Sequence, residues 1–217
     1  MRKSKIEEAN QQQIMRQREF RAAADVVTKA FMGFPEVVAI AVIGSVAKPL
    51  WKEVPRLREL RHAGIEIWHE CADLDLAVWL NSRGRLGQLR RARDLALRKA
   101  YETGEGPSVA SHQADVFLFE PESDRYLGRL CNFNECPKGK KDCLVPGCGA
   151  IAFNRIFAEF SPRVDLLANA QRSLLYTRKS GLLMSALNLP GPDEGNEDAL
   201  DALGEDDDAA ADGRAAE

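Results

Sequence analysis

The sequence predicts an α/β (α+β) fold in which a small mixed sheet is flanked by helices. Three short apolar runs have the length and composition of buried strands: Val37–Ile43, Leu74–Leu80 and Ala114–Phe119. Two longer segments, Lys5–Met32 and Leu86–Tyr101, repeat apolar residues at helical spacing instead. Because strands and helices alternate along the chain, we expect the strands to share one sheet on which the helices pack.

The first helix, Lys5–Met32, has two interpretations. Its apolar residues recur at near-helical spacing, which favours a helix that packs on the core. Its arginines could instead form a basic surface for a polyanion: Arg16, Arg18 and Arg21. The segment Gly33–Pro35 is predicted to end the helix before the first strand.

The connection between the first two strands is long and basic. Leu50–Ile67 is predicted to form a helix that ends in a turn at Ala63–Gly64, and Ile65–Trp68 is a candidate extra strand. Four leucines of the later helix are core candidates: Leu86, Leu89, Leu95 and Leu97. Four arginines of the same helix are most simply a solvated face: Arg90, Arg91, Arg93 and Arg98.

The last third of the chain combines a cysteine-bearing loop with a predicted helix. The loop, Cys131–Cys148, is rich in proline and glycine. Ser161–Pro162 is a favourable helix start, with serine as the N-cap and proline at the first helical position. The helix is predicted to end near Ser180, and Leu182–Leu189 would add a turn or two. From Pro190 the chain is rich in Asp, Glu, Ala and Gly, and we expect disorder there.

The charge of the chain is divided unevenly. The 217 residues carry 30 Lys and Arg against 33 Asp and Glu, a net charge of −3. Residues 191–217 hold 11 of the acids and one of the bases, so the remainder carries a net charge of +7. A basic body suits phosphate-bearing ligands, although a field of this size does not single out a polymer.

No segment of the sequence predicts export or membrane insertion. The N-terminus is polar and lacks the apolar stretch of a signal peptide. No apolar run approaches the roughly 20 residues needed to cross a bilayer. We therefore expect a cytoplasmic protein whose five cysteines are reduced.

Three carboxylates lie in or beside two of the predicted strands. Asp73 and Asp75 flank Leu74 and therefore project from the same strand face, while Asp115 lies at the start of the third strand. Holding three acids among apolar neighbours is costly without a cation. Mg²⁺ prefers oxygen ligands and often bridges carboxylates to substrate phosphates. This pattern favours metal-assisted phosphoryl or nucleotidyl transfer.

A Gly-Ser pair, Gly44–Ser45, closes the first strand ahead of these acids. With the Gly-Ser turn followed by Asp73-Leu74-Asp75-Leu76 and then by Asp115, the sequence resembles the nucleotidyltransferase superfamily related to DNA polymerase β. The resemblance covers about residues 37–120. It implies a small mixed sheet of the polymerase-β type and an enzyme that moves a nucleoside monophosphate from a nucleoside triphosphate to an acceptor hydroxyl.

The resemblance also implies roles for individual residues. Asp73 and Asp75 would hold two Mg²⁺ ions with the triphosphate. Asp115 would complete the second metal site and orient or deprotonate the acceptor hydroxyl. Three residues after the first strand would bind the β- or γ-phosphate: Gly44, Ser45 and Lys48.

Four cysteines form two C-x₄-C pairs in the loop: Cys131, Cys136, Cys143 and Cys148. Four thiolates suit tetrahedral Zn²⁺, and paired cysteines close a small loop that lacks a core of its own. The alternatives are free thiols and disulfides, and a reducing compartment disfavours disulfides. Because the protein would supply all four ligands, the zinc would be structural. Cys71, outside this set, is predicted to be a small buried residue.

With this interpretation the chain divides into five segments. They are an N-terminal helix (1–33), a nucleotidyltransferase core (34–125), a cysteine-rich zinc loop (126–155), a C-terminal helical segment (156–189) and a disordered acidic tail (190–217). The 28 positions from Ser45 to Asp73 exceed the short connection of compact family members. The segment 51–70 is therefore predicted to be an insertion or an extended helix and strand that could shape the acceptor pocket.

Two other functions are compatible with the sequence. Small bacterial nucleotidyltransferases resembling this chain can act as antitoxins that modify or cap a partner protein. Alternatively, the chain is a non-catalytic, zinc-stabilised module that binds nucleic acid or protein through its basic body and the lysines of the cysteine loop. For an enzyme, the acceptor stays open among an antibiotic hydroxyl, a protein hydroxyl, an RNA end and a nucleotide, because pocket shape decides that choice.

Overall fold

The structure, a computed structural model, describes residues 3–50, 57–104, 106–136, 143–157, 160, 162, 167 and 169–191. Three α-helices lie in these ranges: α1 (Lys3–Met32), α2 (Arg58–His62) and α3 (Leu86–Glu102). Seven strands accompany them: β1 (Val37–Ile43), β2 (Leu74–Leu80), β3 (Ala114–Phe119), β4 (Tyr126–Leu130), β5 (Asn154–Arg155), β6 (Leu174–Thr177) and β7 (Gly181–Leu182). The predicted mixed α/β class is confirmed.

The seven strands form one sheet in the order β5-β4-β3-β2-β1-β6-β7. β2 and β3 are parallel, and the other five pairings are antiparallel. The connection between β2 and β3 carries α3, because parallel neighbours need a long crossover. β1, β2 and β3 match the three predicted runs residue for residue. Each is an apolar run bounded by polar or turn-forming residues, which is the pattern of a buried strand.

One face of the sheet is covered by α1 and α3. Phe20, Val27 and Phe31 of α1 are fully buried and belong to the same core cluster as Leu76 and Val78 of β2. Their helical spacing places them on one stripe of α1, so the predicted packing helix is confirmed. Among the described residues, no helix combines the length and the apolar character needed to span a membrane.

Three arginines are buried, one from the alternative basic-surface interpretation of α1 and two from the predicted solvated face of α3. Arg21 of α1 donates from Nε to the carbonyl oxygen of Val46 at 3.2 Å, so it does not contribute to a basic outer surface. On α3, Arg90 and Arg93 are buried as well, and the predicted solvated face is wrong for both. Leu95, predicted to lie in the core, is instead exposed. The arginines can be buried because residues distant in the sequence supply their hydrogen-bond partners.

The long connection after β1 is less regular than predicted. Its described part contains only the short helix α2, and residues 51–56 lie outside the described residues. Ile65–Trp68 is not a strand, so that prediction is wrong. The backbone N–H of Trp68 donates to Oδ1 of Asn10 on α1 at 3.0 Å. This segment therefore joins the helix layer and not the sheet.

The C-terminal part of the described chain is a pair of strands where a helix was predicted. β6 pairs with the free side of β1, with Ile40 opposite Tyr176, and Gly181 (φ +76°) allows the tight turn into β7. A single 3₁₀ turn, Ala186–Asn188, follows β7. The helix predicted to run to Ser180 is wrong over residues 174–180, because strand pairing with β6 satisfies the edge of β1.

Several predictions concern parts of the chain outside the described residues. The acidic tail is one of these, from residue 192 onward. So are residues 163–166 of the predicted C-terminal helix and the three lysines of the cysteine loop: Lys138, Lys140 and Lys141.

Candidate active site

Two of the predicted acids stand side by side on the face of the sheet opposite α1 and α3. β2 and β3 run parallel in a register that places Asp75 opposite Asp115. Neighbouring strands lie about 4.8 Å apart, and side chains on opposite residues of adjacent strands point to the same side. Leu74 and Leu76 are buried in the helix-side core, so Asp75 projects from the other face. The predicted convergence of these two carboxylates is therefore present.

The third predicted acid, Asp73, directly precedes β2 and is exposed. It is close enough for its charge to act on both other carboxylates, since it contributes to raising the pKa of Asp75 and of Asp115. The sequence prediction placed Asp73 and Asp75 together as strand neighbours. In the structure, Asp75 and Asp115 form the inner pair and Asp73 lies at the mouth of the cluster.

The Gly-Ser turn packs directly against Asp75. Ile43, the last residue of β1, is opposite Asp75 in the sheet, and a single 3₁₀ turn, Gly44–Ala47, follows. Gly44 has φ +73°, and a Cβ at this position would lie 2.6 Å from Oδ2 of Asp75. Both the conformation and the close approach therefore require glycine.

Residues beneath the turn hold it in place. Gln17 of α1 donates from Nε2 to the carbonyl oxygen of Lys48 at 2.7 Å, while Nε2 of His69 lies 3.3 Å from the carbonyl oxygen of Ser45. Cys71 is buried, and burial raises the pKa of its thiol, although a hydrogen bond with Ser45 acts in the opposite direction. Because helix and loop both contact the turn, its backbone is pre-positioned beside the carboxylates.

Ionising Asp75 and Asp115 at the same time is energetically costly. Burial, followed by the charges of Asp115 and Asp73, raises the pKa of Asp75 to about 7. Burial also raises the pKa of Asp115, although the nearby Arg129 guanidinium opposes it. Adjacent, partly buried carboxylates are costly to ionise together without a compensating cation, so Asp75 favours its protonated form up to about pH 7.

Arg129 is the site residue that the sequence analysis missed. It lies on β4 opposite Phe117 of β3, so its side chain projects from the same face as Asp115. Nη1 of Arg129 forms an ion pair with Oδ2 of Asp115, and its guanidinium stacks over the Phe157 ring at 4.5 Å. Counting residue pairs across the hairpin between β3 and β4 would place Arg129 near Asp115 only if the pairing were regular. The register of that hairpin shifts between Leu118 and Phe119.

The donor set of this cluster fits a hard divalent cation such as Mg²⁺. Oδ1 of Asp115 is buried and has no hydrogen-bond partner in the part of the chain that the structure describes. Asp75 and Asp115 supply carboxylate oxygens, the ligands that Mg²⁺ prefers. Within the described residues, no group of three or more His, Cys, Asp or Glu side chains is arranged to hold a metal ion as it stands. A third ligand would have to come from Asp73 after side-chain rotation or from a substrate phosphate.

We predict that Gly44→Ala impairs the site more than it impairs the fold. The Asp75 carboxylate would have to move away from the new Cβ, so we expect at least a tenfold loss of affinity, or about 1.4 kcal/mol, for any ligand that this carboxylate holds. Gly104→Ala is the matched control, since Gly104 has φ +70° and no atom within 4 Å of the added Cβ. Both variants should lose about 1 kcal/mol of stability in urea unfolding. Equal affinities in the two variants would contradict the contact with Asp75.

The four cysteines of the loop form a second cluster, apart from the acids. The lining of one small cavity includes Cys131, Cys136, Cys143 and Cys148. All four are free thiols, and Cys131 is buried while the others are partly buried. The four cysteines are therefore neighbours in space, and their binding of zinc stays a prediction.

The chain was compared with protein-family models, with curated proteins and with solved structures. None of the three comparisons gave a match. The function is therefore inferred from the chemistry of the two clusters.

Proposed function

We propose that this protein is a Mg²⁺-dependent nucleotidyltransferase that moves a nucleoside monophosphate from a nucleoside triphosphate to an acceptor hydroxyl. One observation carries the proposal: Asp75 and Asp115 are opposite each other on parallel strands, and the Gly44 turn lies directly against Asp75. An acid with only a surface role has no reason to be buried beside a second acid and a glycine turn. A site that binds phosphates and a divalent cation needs all three features together.

Asp75 and Asp115 would hold the cation, with Asp73 and the triphosphate completing its ligands. When bound, Mg²⁺ would neutralise the carboxylates and the phosphates and stabilise the charge that develops in an in-line displacement. The raised pKa of Asp75 supports this role, because a bound cation would replace the proton that the metal-free cluster retains.

The turn after β1 would bind the triphosphate tail. Backbone N–H groups at Gly44 and Ser45 and the Ser45 hydroxyl are hydrogen-bond donors for phosphate oxygens. Lys48 follows the turn and is half-buried, and it would add a positive charge. The contacts beneath the turn keep these donors in position, which limits the entropy lost on binding.

Asp115 would act on the acceptor side. Its Oδ1 is the oxygen available to take the proton of the acceptor hydroxyl. The hydroxyl oxygen then forms a bond to the α-phosphorus, the bond from that phosphorus to the bridging oxygen breaks, and pyrophosphate leaves. Arg129 holds Asp115 in place from β4.

The test is Mg²⁺-dependent binding of a non-hydrolysable nucleoside triphosphate, followed by turnover with all four triphosphates. We expect the wild type to bind the analogue only with Mg²⁺, and Asp115→Asn to lose this binding. Asp124→Asn is the control, because Asp124 lies in the turn after β3 and accepts a hydrogen bond from Trp79. In turnover, pyrophosphate release should equal the nucleotide attached to the acceptor.

Two results would overturn the proposal. One is triphosphate binding that is the same with and without Mg²⁺ and in both variants. The other is salt-sensitive RNA binding that needs neither Mg²⁺ nor triphosphate, which would support the adaptor alternative. A small co-purifying protein that becomes nucleotidylated would support the proposed reaction and identify a protein as the acceptor.

A further inference from the structure

The cysteine cluster occupies a defined place at the edge of the sheet. Cys131 directly follows β4, and its backbone N–H donates to the carbonyl oxygen of Phe153 at 2.8 Å, just before β5. Cys148 lies in a turn, where its N–H donates to the carbonyl oxygen of Val145 at 2.9 Å. The first and last cysteines are thus fixed by backbone hydrogen bonds, although 17 positions separate them in sequence.

The cavity between the cysteines is small, and the described residues that line it include no other strong metal ligand. Its volume is about 10 Å³, enough for one water-sized particle, and its lining includes two aromatic residues, Phe133 and Phe153, in addition to the cysteines. Four cysteines around one cavity of this size supply only thiol ligands, and a soft cation is the ligand that four thiolates select.

We propose that Cys131, Cys136, Cys143 and Cys148 form a tetrathiolate site for a structural Zn²⁺ ion that fixes the β4–β5 edge of the sheet. Zn–S bonds of about 2.3 Å in a tetrahedron place the sulfurs about 3.8 Å apart. The described side chains are not arranged to hold a metal ion as they stand, so the four thiols would rotate to close around the ion. Four thiols lose their protons to solvent as four Zn–S bonds form, so the completed site carries a net charge of −2. Arg155 lines the cavity and offsets this charge.

The zinc site would also position residues beside the acids. Asn132 and Asn134, between the first two cysteines, accept hydrogen bonds from the buried arginines of α3. Nη1 of Arg93 donates to Oδ1 of Asn132 at 2.7 Å, and Nη1 of Arg90 donates to Oδ1 of Asn134 at 3.1 Å. Arg129, which pairs with Asp115, lies two positions before Cys131. The loop thus connects the cysteine cluster to α3 and to the carboxylates.

Zinc content and cobalt substitution test this proposal without reference to transferase activity. Protein purified with Zn²⁺ should hold about one zinc ion per chain by elemental analysis. Replacement by Co²⁺ should give the intense visible absorption of a tetrahedral thiolate site. Removing zinc with a chelator should speed hydrogen exchange at the amides of Cys131 and Arg155, because the β4–β5 edge opens.

Cys136→Ser with Cys143→Ser should abolish both zinc binding and the cobalt spectrum, whereas Cys71→Ser should retain them. Because the double variant risks misfolding, thiol counting on the native wild type provides a second measurement. With zinc bound, the four cluster thiols should be protected from a thiol reagent, and a chelator should expose them. Disulfides between these cysteines, or four reactive thiols in protein saturated with Zn²⁺, would overturn the proposal. Neither result would contradict the proposal that Asp75 and Asp115 bind Mg²⁺.

Discussion

In the absence of divalent cations, the Asp75→Asn protein is expected to be more stable than the wild type above about pH 7. It is also expected to lose the proposed nucleotidyl transfer. The pKa of Asp75 is raised from 3.8 to about 7, chiefly by burial. A carboxyl whose pKa is raised on folding contributes stability that is complete below the unfolded pKa and is lost as pH rises through the folded pKa. The wild type should therefore lose stability between about pH 4 and pH 7, and the asparagine variant should lack this contribution.

The size of the effect follows from the shift. About three pKa units at about 1.4 kcal/mol each give at most about 4 kcal/mol by pH 8. Urea unfolding in a chelator at pH 5 and pH 8 measures it, because the stability difference between Asp75→Asn and the wild type should grow with pH. Asp124→Asn should follow the wild type at both pH values. A difference that stays constant with pH would contradict burial of an ionised Asp75.

Mg²⁺ should stabilise the folded wild type more than the Asp75→Asn variant. A cation held by Asp75 and Asp115 would stabilise the folded wild type at pH 8 by mass action, whereas Asp75→Asn should respond weakly. Transfer should fall at least about 100-fold, because metal stabilisation of the transition state contributes several kcal/mol and each 1.4 kcal/mol changes the rate about tenfold. Gain of stability together with loss of activity would distinguish a functional acid from a structural one.

The centre of the sheet could be predicted because local sequence determines it. β2 and β3 are apolar runs in which each acid alternates with buried neighbours, so strand periodicity predicted both strands and put each acid on the face opposite its buried neighbours. Gly44 was also recognisable, since a glycine at the end of an apolar strand marks a turn. None of these inferences needed a contact between distant segments.

The parts that could not be predicted depend on such distant contacts. Leu174–Thr177 has a composition that fits a helix or a strand equally, and pairing with β1 decides the outcome. The register that brings Arg129 to Asp115 depends on an irregular hairpin whose residues Glu122 and Asp124 have positive φ. The burial of Arg93 depends on Asn132, which is 39 positions away. Composition and periodicity contain no signal for partners at this distance.

Arg93→Met is expected to destabilise the protein by about 3–5 kcal/mol. Arg93 is fully buried on α3 and pairs with Asp94, and it donates from Nη1 to Asn132 and to the carbonyl oxygen of Ala114 at 3.1 Å. Methionine fills a similar volume but leaves the buried carbonyl oxygen of Ala114 and the partly buried Asn132 without this donor, while Asp94 keeps Arg90 as a partner. Each polar group that loses its partner costs about 1–3 kcal/mol, and the lost charge pairing adds to this.

Arg98→Met on the same helix is the matched control, since Arg98 is exposed, and it should change the free energy of unfolding by less than about 0.5 kcal/mol. Arg93→Lys should fall between the two, because one ammonium cannot reach all three acceptors in the geometry of the guanidinium fork. Ala114 precedes Asp115, so Arg93→Met should also weaken Mg²⁺-dependent triphosphate binding in the folded fraction. If Arg93→Met were as stable as Arg98→Met, the buried network would contribute no net stability, and its remaining role would be to align α3, the cysteine loop and β3.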